Sequence, residues 1–128
     1  MSGARRRRGG RAHSLGLGAE TAACAALERD GWSVLARRLR TAAGEIDVLA
    51  EKAGLLAIIE VKSRPTLAVA AAALSGRQRA RLIASAEIVM GEHPGWGAAG
   101  MRFDVLLVDA AGAVRRVADA FRVEALPD

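Results

Sequence analysis

Two short segments concentrate the chemistry of this sequence: Gly44-Glu45-Ile46-Asp47, and Glu60-Val61-Lys62 thirteen positions further on. Side chains alternate along a strand. Glu45 and Asp47 are therefore expected on one face with Ile46 and Val48 on the other, and Glu60 and Lys62 on a face opposite Ile59 and Val61. A tight loop at Ala53-Gly54, between Lys52 and Leu55, places Asp47 opposite Glu60 and Glu45 opposite Lys62. A slip of one residue would pair Asp47 with Ile59 and destroy the arrangement. Two carboxylates held together in apolar surroundings repel each other. A divalent cation between them reverses the sign of that interaction. Ligation by oxygen alone suits Mg²⁺ or Mn²⁺, with waters and a substrate phosphate completing the shell. Glu45 has a second reading as a cross-strand partner of Lys62, worth about 0.2–1 kcal/mol.

Lys62 is informative because lysine is rare here: of 19 basic residues only Lys52 and Lys62 are not arginine. Burial can tune a lysine's proton, whereas arginine keeps its own. Beside a metal and a phosphoryl group, a lysine orients or deprotonates water or neutralises developing charge. Glu20 lies at helical spacing with Ala23, Cys24 and Leu27, so it should turn toward the same sheet. Gln78 reads as a helix cap or a phosphate contact. Cys24 reads as a small core residue, and His13 and His93 as solvated loop residues without partners.

The elements that must position these groups follow from periodicity and punctuation. A helix is expected from Ser14 or Leu15 to Asp30, stopping near Gly31. Strands are expected over Trp32–Leu39, Glu45–Ala50 and Leu55–Lys62, with a turn at Thr41–Gly44 and a connection at Glu51–Gly54. Arg64-Pro65 ends the third strand. The alanine-rich stretch Thr66–Leu74 is ambiguous. Ser75–Met90 reads as a helix with a capping box from Ser75 to Gln78 and an apolar stripe of Leu82, Ala86 and Val89. A glycine-rich loop, Gly91–Gly100, precedes a buried strand, Met101–Val108, and a last strand, Val114–Phe121. The order predicts an α/β domain with a central mixed five-stranded sheet flanked by helices.

The chain's 128 residues suit one domain, and 52% hydrophobic residues argue against wholesale disorder. One cysteine excludes an internal disulfide and any cysteine-based zinc site. Without a run of about 18 apolar residues, no membrane-spanning helix is expected, and the location is read as cytoplasmic. The net charge of +5 is local: residues 1–11 hold five arginines and no acid, and residues 12–128 balance. Residues 1–13 are therefore read as a flexible Arg/Gly-rich tail and residues 14–128 as a single domain.

Gly18-Ala19-Glu20, Gly44-Glu45-Ile46-Asp47, Glu60-Val61-Lys62-Ser63-Arg64, the helix from Ser75 and Arg102-Phe103-Asp104 occur in this order. Together they resemble the YraN-like family of small bacterial proteins over about Leu15 to Phe121. That family is similar to the PD-(D/E)XK nucleases, whose fold is shared by restriction endonucleases and Holliday-junction resolvases. The resemblance implies a restriction endonuclease-like fold, with Asp47 and Glu60 as metal-binding acids and Lys62 as the catalytic lysine. Glu20 matches the helix glutamate of the resolvase-like branch, and would be catalytic and metal-binding with them. Here Ile46 precedes the aspartate where the superfamily has proline, and Gln78 stands where many relatives have lysine.

The implied activity is Mg²⁺- or Mn²⁺-dependent hydrolysis of DNA, selective for branched or structured substrates, with Arg64, Arg77, Gln78 and Arg81 contacting nucleic acid and a homodimer as the resolvase-like arrangement. The alternative is a non-catalytic nucleic-acid-binding or protein-interaction module on the same fold. If the tail contributes to DNA binding, deleting residues 1–11 will weaken affinity and flatten its dependence on salt in a titration; an unchanged slope would remove the tail from the interface.

Overall fold

The computed structural model of the chain describes residues 18–66 and 74–121. The expected tail, His13, the start of the first helix and most of Thr66–Leu74 lie outside them. The described elements are a helix α1 (residues 18–29), strands β1 (Ser33–Thr41), β2 (Gly44–Lys52) and β3 (Leu55–Ser63), a helix α2 (Gly76–Glu92), and strands β4 (Gly100–Val108) and β5 (Val114–Phe121). They build one five-stranded sheet in the order β1-β2-β3-β4-β5. All neighbours are antiparallel except β3 and β4, which are parallel because α2 carries the chain back between them. The α/β class, the mixed sheet and the element order agree with the expectation, and strand ends shift by one or two residues. No helix among the described residues is long and apolar enough to cross a membrane.

Local chemistry accounts for the boundaries. α1 stops at Gly31, whose φ of 88° permits a Schellman ending in which Trp32 N–H donates to Leu27 O at 2.9 Å. The β2–β3 loop is Ala53-Gly54, both residues at positive φ (51° and 81°), as a type I′ hairpin requires. It pairs Lys52 with Leu55 and so carries the register to Val48–Ile59. α2 begins on the expected capping box: Ser75 Oγ accepts from Gln78 N–H at 3.1 Å, and Gln78 Oε1 accepts from Ser75 N–H at 2.9 Å.

Each face of the sheet carries a core. Ala23, Cys24 and Leu27 of α1 pack with Trp32, Val48, Ala50, Ala57, Ile59, Leu106 and Val108. Leu82, Ala86 and Val89 of α2 pack with Ile46, Leu49, Leu56, Ile58, Phe103, Val105 and Leu107. His93 is not without a partner, since its ring stacks on Trp96 with centroids 3.8 Å apart.

A buried ion pair ties the far side of the sheet together. Asp104 is 1% exposed, and its carboxylate faces Arg102 through Nε at 2.9 Å and Nη2 at 3.0 Å. The same carboxylate accepts from Asp119 N–H at 2.8 Å, and Arg102 lies 5.2 Å from the Trp32 ring. Breaking one half of a buried pair leaves the other uncompensated. Asp104→Ala is expected to lower unfolding free energy by about 3 kcal/mol in urea titration, because Arg102 and the Asp119 amide both lose their acceptor.

Candidate functional site

The sheet splits where the acidic residues lie. The β2–β3 ladder ends at Val48–Ile59, while β2 stays paired with β1 down to Gly44 and β3 with β4 up to Ser63. Past that point the Val61 amide lacks a β2 carbonyl to donate to. Asp47 supplies the acceptor, with Oδ2 2.8 Å from Val61 N. Its carboxylate therefore sits in the seam between the two strands, next to Glu60.

The expected alternation fails at this point and is corrected. Ile46 belongs to the core under α2 and Val48 to the core under α1, so these two residues do not share a face. The cause is a kink in the edge strand β1 where it pairs with β2. The Arg38–Asp47 pair is missing from an otherwise continuous register between Arg37–Val48 and Leu39–Ile46. Arg38 has φ of 50°, a left-handed backbone that costs a non-glycine residue about 1 kcal/mol or more. As a result Arg37 and Arg38, although consecutive, both reach α1: Arg37 Nη2 donates to Thr21 Oγ1 at 3.2 Å, and Arg38 Nε is 3.1 Å from Glu20 Oε2.

The expected pairing of Glu45 with Lys62 is corrected too, since each meets other partners. Glu45 faces Arg38 and Arg40, each at 3.8 Å, and Lys62 Nζ lies 3.6 Å from Glu60 Oε1. The same Glu60 oxygen is 3.5 Å from Nη2 of Arg81, which comes from α2. Glu20 and Glu60 are both buried, and each leaves one oxygen without a hydrogen-bond partner: Oε1 of Glu20 and Oε2 of Glu60.

Burial pushes the carboxyl groups of Glu20, Asp47 and Glu60 up from their ordinary range. The Arg38 guanidinium opposes the rise at Glu20, and neighbouring carboxylates add to it: Glu45 at Asp47, Asp47 at Glu60, and both Asp47 and Glu45 at Glu20. For Asp47 the Val61 amide, and Lys62 and Arg81 at longer range, work the other way without cancelling the rise. For Glu60 the charge of Asp47 follows burial as the largest cause, opposed by Lys62 and Arg81.

These oxygens fit a hard divalent cation. Asp47 and Glu60 are adjacent, and Glu60 has a spare buried oxygen. Mg²⁺ is commonly held by one or two carboxylates, with water and phosphate filling the rest. Among the described residues no three acids or histidines stand close enough to form a complete cage. Glu20 is engaged by Arg38 and feels the charge of Asp47.

The remaining expected contacts are peripheral. Arg64 follows β3 and donates to Ser63 O at 2.7 Å, Arg77 is exposed in the first turn of α2, and Gln78 is committed to the capping box. The sequence reading passed over Arg37, Arg38 and Arg40 of β1. Their signal was available, as three arginines within four residues just before Gly44-Glu45-Ile46-Asp47.

A family model described as "Uncharacterised protein family UPF0102" matches residues 19–108, from α1 through the end of β4. A UPF0102 protein of Granulibacter bethesdensis is 62% identical over 117 residues, covering 91% of this chain and 74% of the relative. One from Azorhizobium caulinodans is 46% identical over 119 residues, covering 93% and 91%. One from Acidiphilium cryptum is 42% identical over 114 residues, covering 89% and 88%.

A carboxyl whose folded pKa exceeds its unfolded value binds more protons in the native state, so native stability falls as pH rises through the shifted range. In chelator, the contribution of Asp47 and Glu60 is therefore fully present below their ordinary carboxyl pKa values, near about pH 4, and is lost as pH rises through the raised range. Asp47→Asn and Glu60→Gln are each expected to raise the melting temperature at pH 7 by about 3 °C. The double variant should flatten the pH dependence of the urea midpoint. A lowered melting temperature in both single variants would show that the acids stabilise the fold.

Proposed function

The chain belongs to the uncharacterised protein family UPF0102, and we propose that it is a metal-dependent nuclease hydrolysing phosphodiester bonds in DNA. The observation that carries this reading is the seam between β2 and β3. There Asp47 and Glu60 are crowded together in partial burial, with the Lys62 ammonium 3.6 Å from Glu60. Crowded acids raise the energy of the metal-free chain, a cost that a fold retains where the acids serve a ligand. The sequence resemblance to the PD-(D/E)XK nucleases supports the same reading.

Asp47 and Glu60 are the residues that would hold Mg²⁺ or Mn²⁺, which when bound supplies Lewis-acid polarisation of a phosphate oxygen. The protein's own groups do the rest. Asp47 is fixed by the Val61 amide, so its free oxygen is held in place rather than sampling rotamers. Lys62, 17% exposed at its side chain, can hydrogen-bond an attacking water and offset negative charge developing on the phosphate. Arg64, next after β3, and the exposed Arg77 and Arg79 at the start of α2 would supply sequence-independent attraction to the backbone. Contacts of this kind suit a substrate recognised by shape, such as a branched junction.

Cleavage of branched and linear DNA in Mg²⁺ or Mn²⁺, with an EDTA control, tests the proposal. Asp47→Ala and Lys62→Met are each expected to lower the rate by about 10²-fold or more with DNA affinity in EDTA unchanged. Absence of cleavage with both metals, or an Asp47→Ala variant as active as the parent, would leave the non-catalytic binding module as the surviving reading.

A further inference from the structure

Arg81 reaches the acids by a route that only glycine permits. Gly44 has φ of 144°, and a Cβ built there would stand 2.6 Å from Cδ and 2.7 Å from Cγ of Arg81. The stem of the arginine thus lies directly against the glycine backbone. Beyond it, Nη2 is 3.5 Å from Glu60 Oε1, while Nε is buried without a hydrogen-bond partner. The placement of the helix is fixed nearby: Ser85, one turn along α2 and fully buried, hydrogen-bonds Thr41 at 3.1 Å. Thr41 in turn accepts from the amides of Ala43 and Gly44, each at 3.1 Å, closing the β1–β2 turn.

The contact with Glu60 is unsaturated on both sides. Glu60 Oε1 has two cations beyond good hydrogen-bond length, at 3.5 and 3.6 Å, and Oε2 has no partner. Arginine is the side chain whose planar fork can exchange a carboxylate for a phosphate.

We propose that Arg81 is a positioning residue that stands in for the metal: it holds Glu60 in the metal-free chain, is displaced when a divalent ion engages that carboxylate, and then takes a phosphate of the nucleic acid. This rests on the proposed function and adds to it a linkage between metal and DNA. Guanidinium and metal compete for one carboxylate, so removing Arg81 strengthens metal binding. The metal frees a phosphate-binding group, so it strengthens DNA binding, and by reciprocity DNA strengthens metal binding. A merely structural arginine would predict weaker or unchanged metal affinity on its removal.

The test measures Mn²⁺ affinity by paramagnetic resonance, and duplex affinity by fluorescence anisotropy with and without Ca²⁺ at constant ionic strength. Arg81→Gln is expected to bind Mn²⁺ about 5-fold more tightly and to lose a Ca²⁺-linked gain in duplex affinity that is about 5-fold in the parent. Arg81→Met keeps the stem over Gly44 and gives the same reading where the Gln variant does not fold. Gly44→Ala, which retains the charge but pushes it away, should also tighten Mn²⁺. Unchanged or weaker Mn²⁺ binding in the folded Arg81 variants, or an intact Ca²⁺-linked gain, overturns the inference and leaves the nuclease reading standing. A parent chain that binds no Mn²⁺ overturns both.

Discussion

The organising constraint of this molecule is repulsion among carboxylates at a split in its sheet. Asp47 and Glu60 are neighbours because the hairpin register leaves them no alternative, and burial denies them the water that would screen their charges. Everything around them can be understood as a response. The Val61 amide, Lys62 and Arg81 each lower the cost, Arg38 covers Glu20, and still the carboxyls are held above their ordinary range. A fold under no other demand would have placed apolar residues at the seam.

The scaffold isolates that tension from the rest of the structure. Two apolar cores clamp the sheet from both sides. The Arg102–Asp104 pair fixes the β4–β5 side, and α2 is fastened to the β1–β2 turn through Ser85 and Thr41. The backbone departures that concern the site, Arg38 at φ of 50° and Gly44 at 144°, both lie at that turn end of the β1–β2 hairpin. They bring arginines from an edge strand and from a helix onto acids of α1, β2 and β3.

Much of this was legible from one sequence, because local signals are strong where backbone geometry is demanding. Gly31 marked the end of α1, Ser75 and Gln78 marked the cap of α2, and Ala53-Gly54 set the register that brings Asp47 beside Glu60. Val114–Phe121 is the last strand as expected. Strict alternation misled at Asp47. A period of two assumes a regular ladder, and nothing local announces that Arg38 would adopt a left-handed backbone and let Ile46 and Val48 part to opposite faces.

Element types, the mixed α/β order, the hairpin parity and the identity of the acids and of Lys62 are properties of short windows of sequence. Propensity, capping and turn chemistry act over a few residues, so they can be read without knowing what packs against them. Which cation meets which acid was decided only in three dimensions. Glu45 has Arg38 and Arg40 instead of Lys62, Glu60 is shared by Lys62 and an arginine from a helix, and Glu20 is covered by a strand residue. Ion-pair partners are chosen by the through-space positions of long side chains, and these follow from the kink in β1 and the docking of α2, to which residues far apart in sequence contribute together.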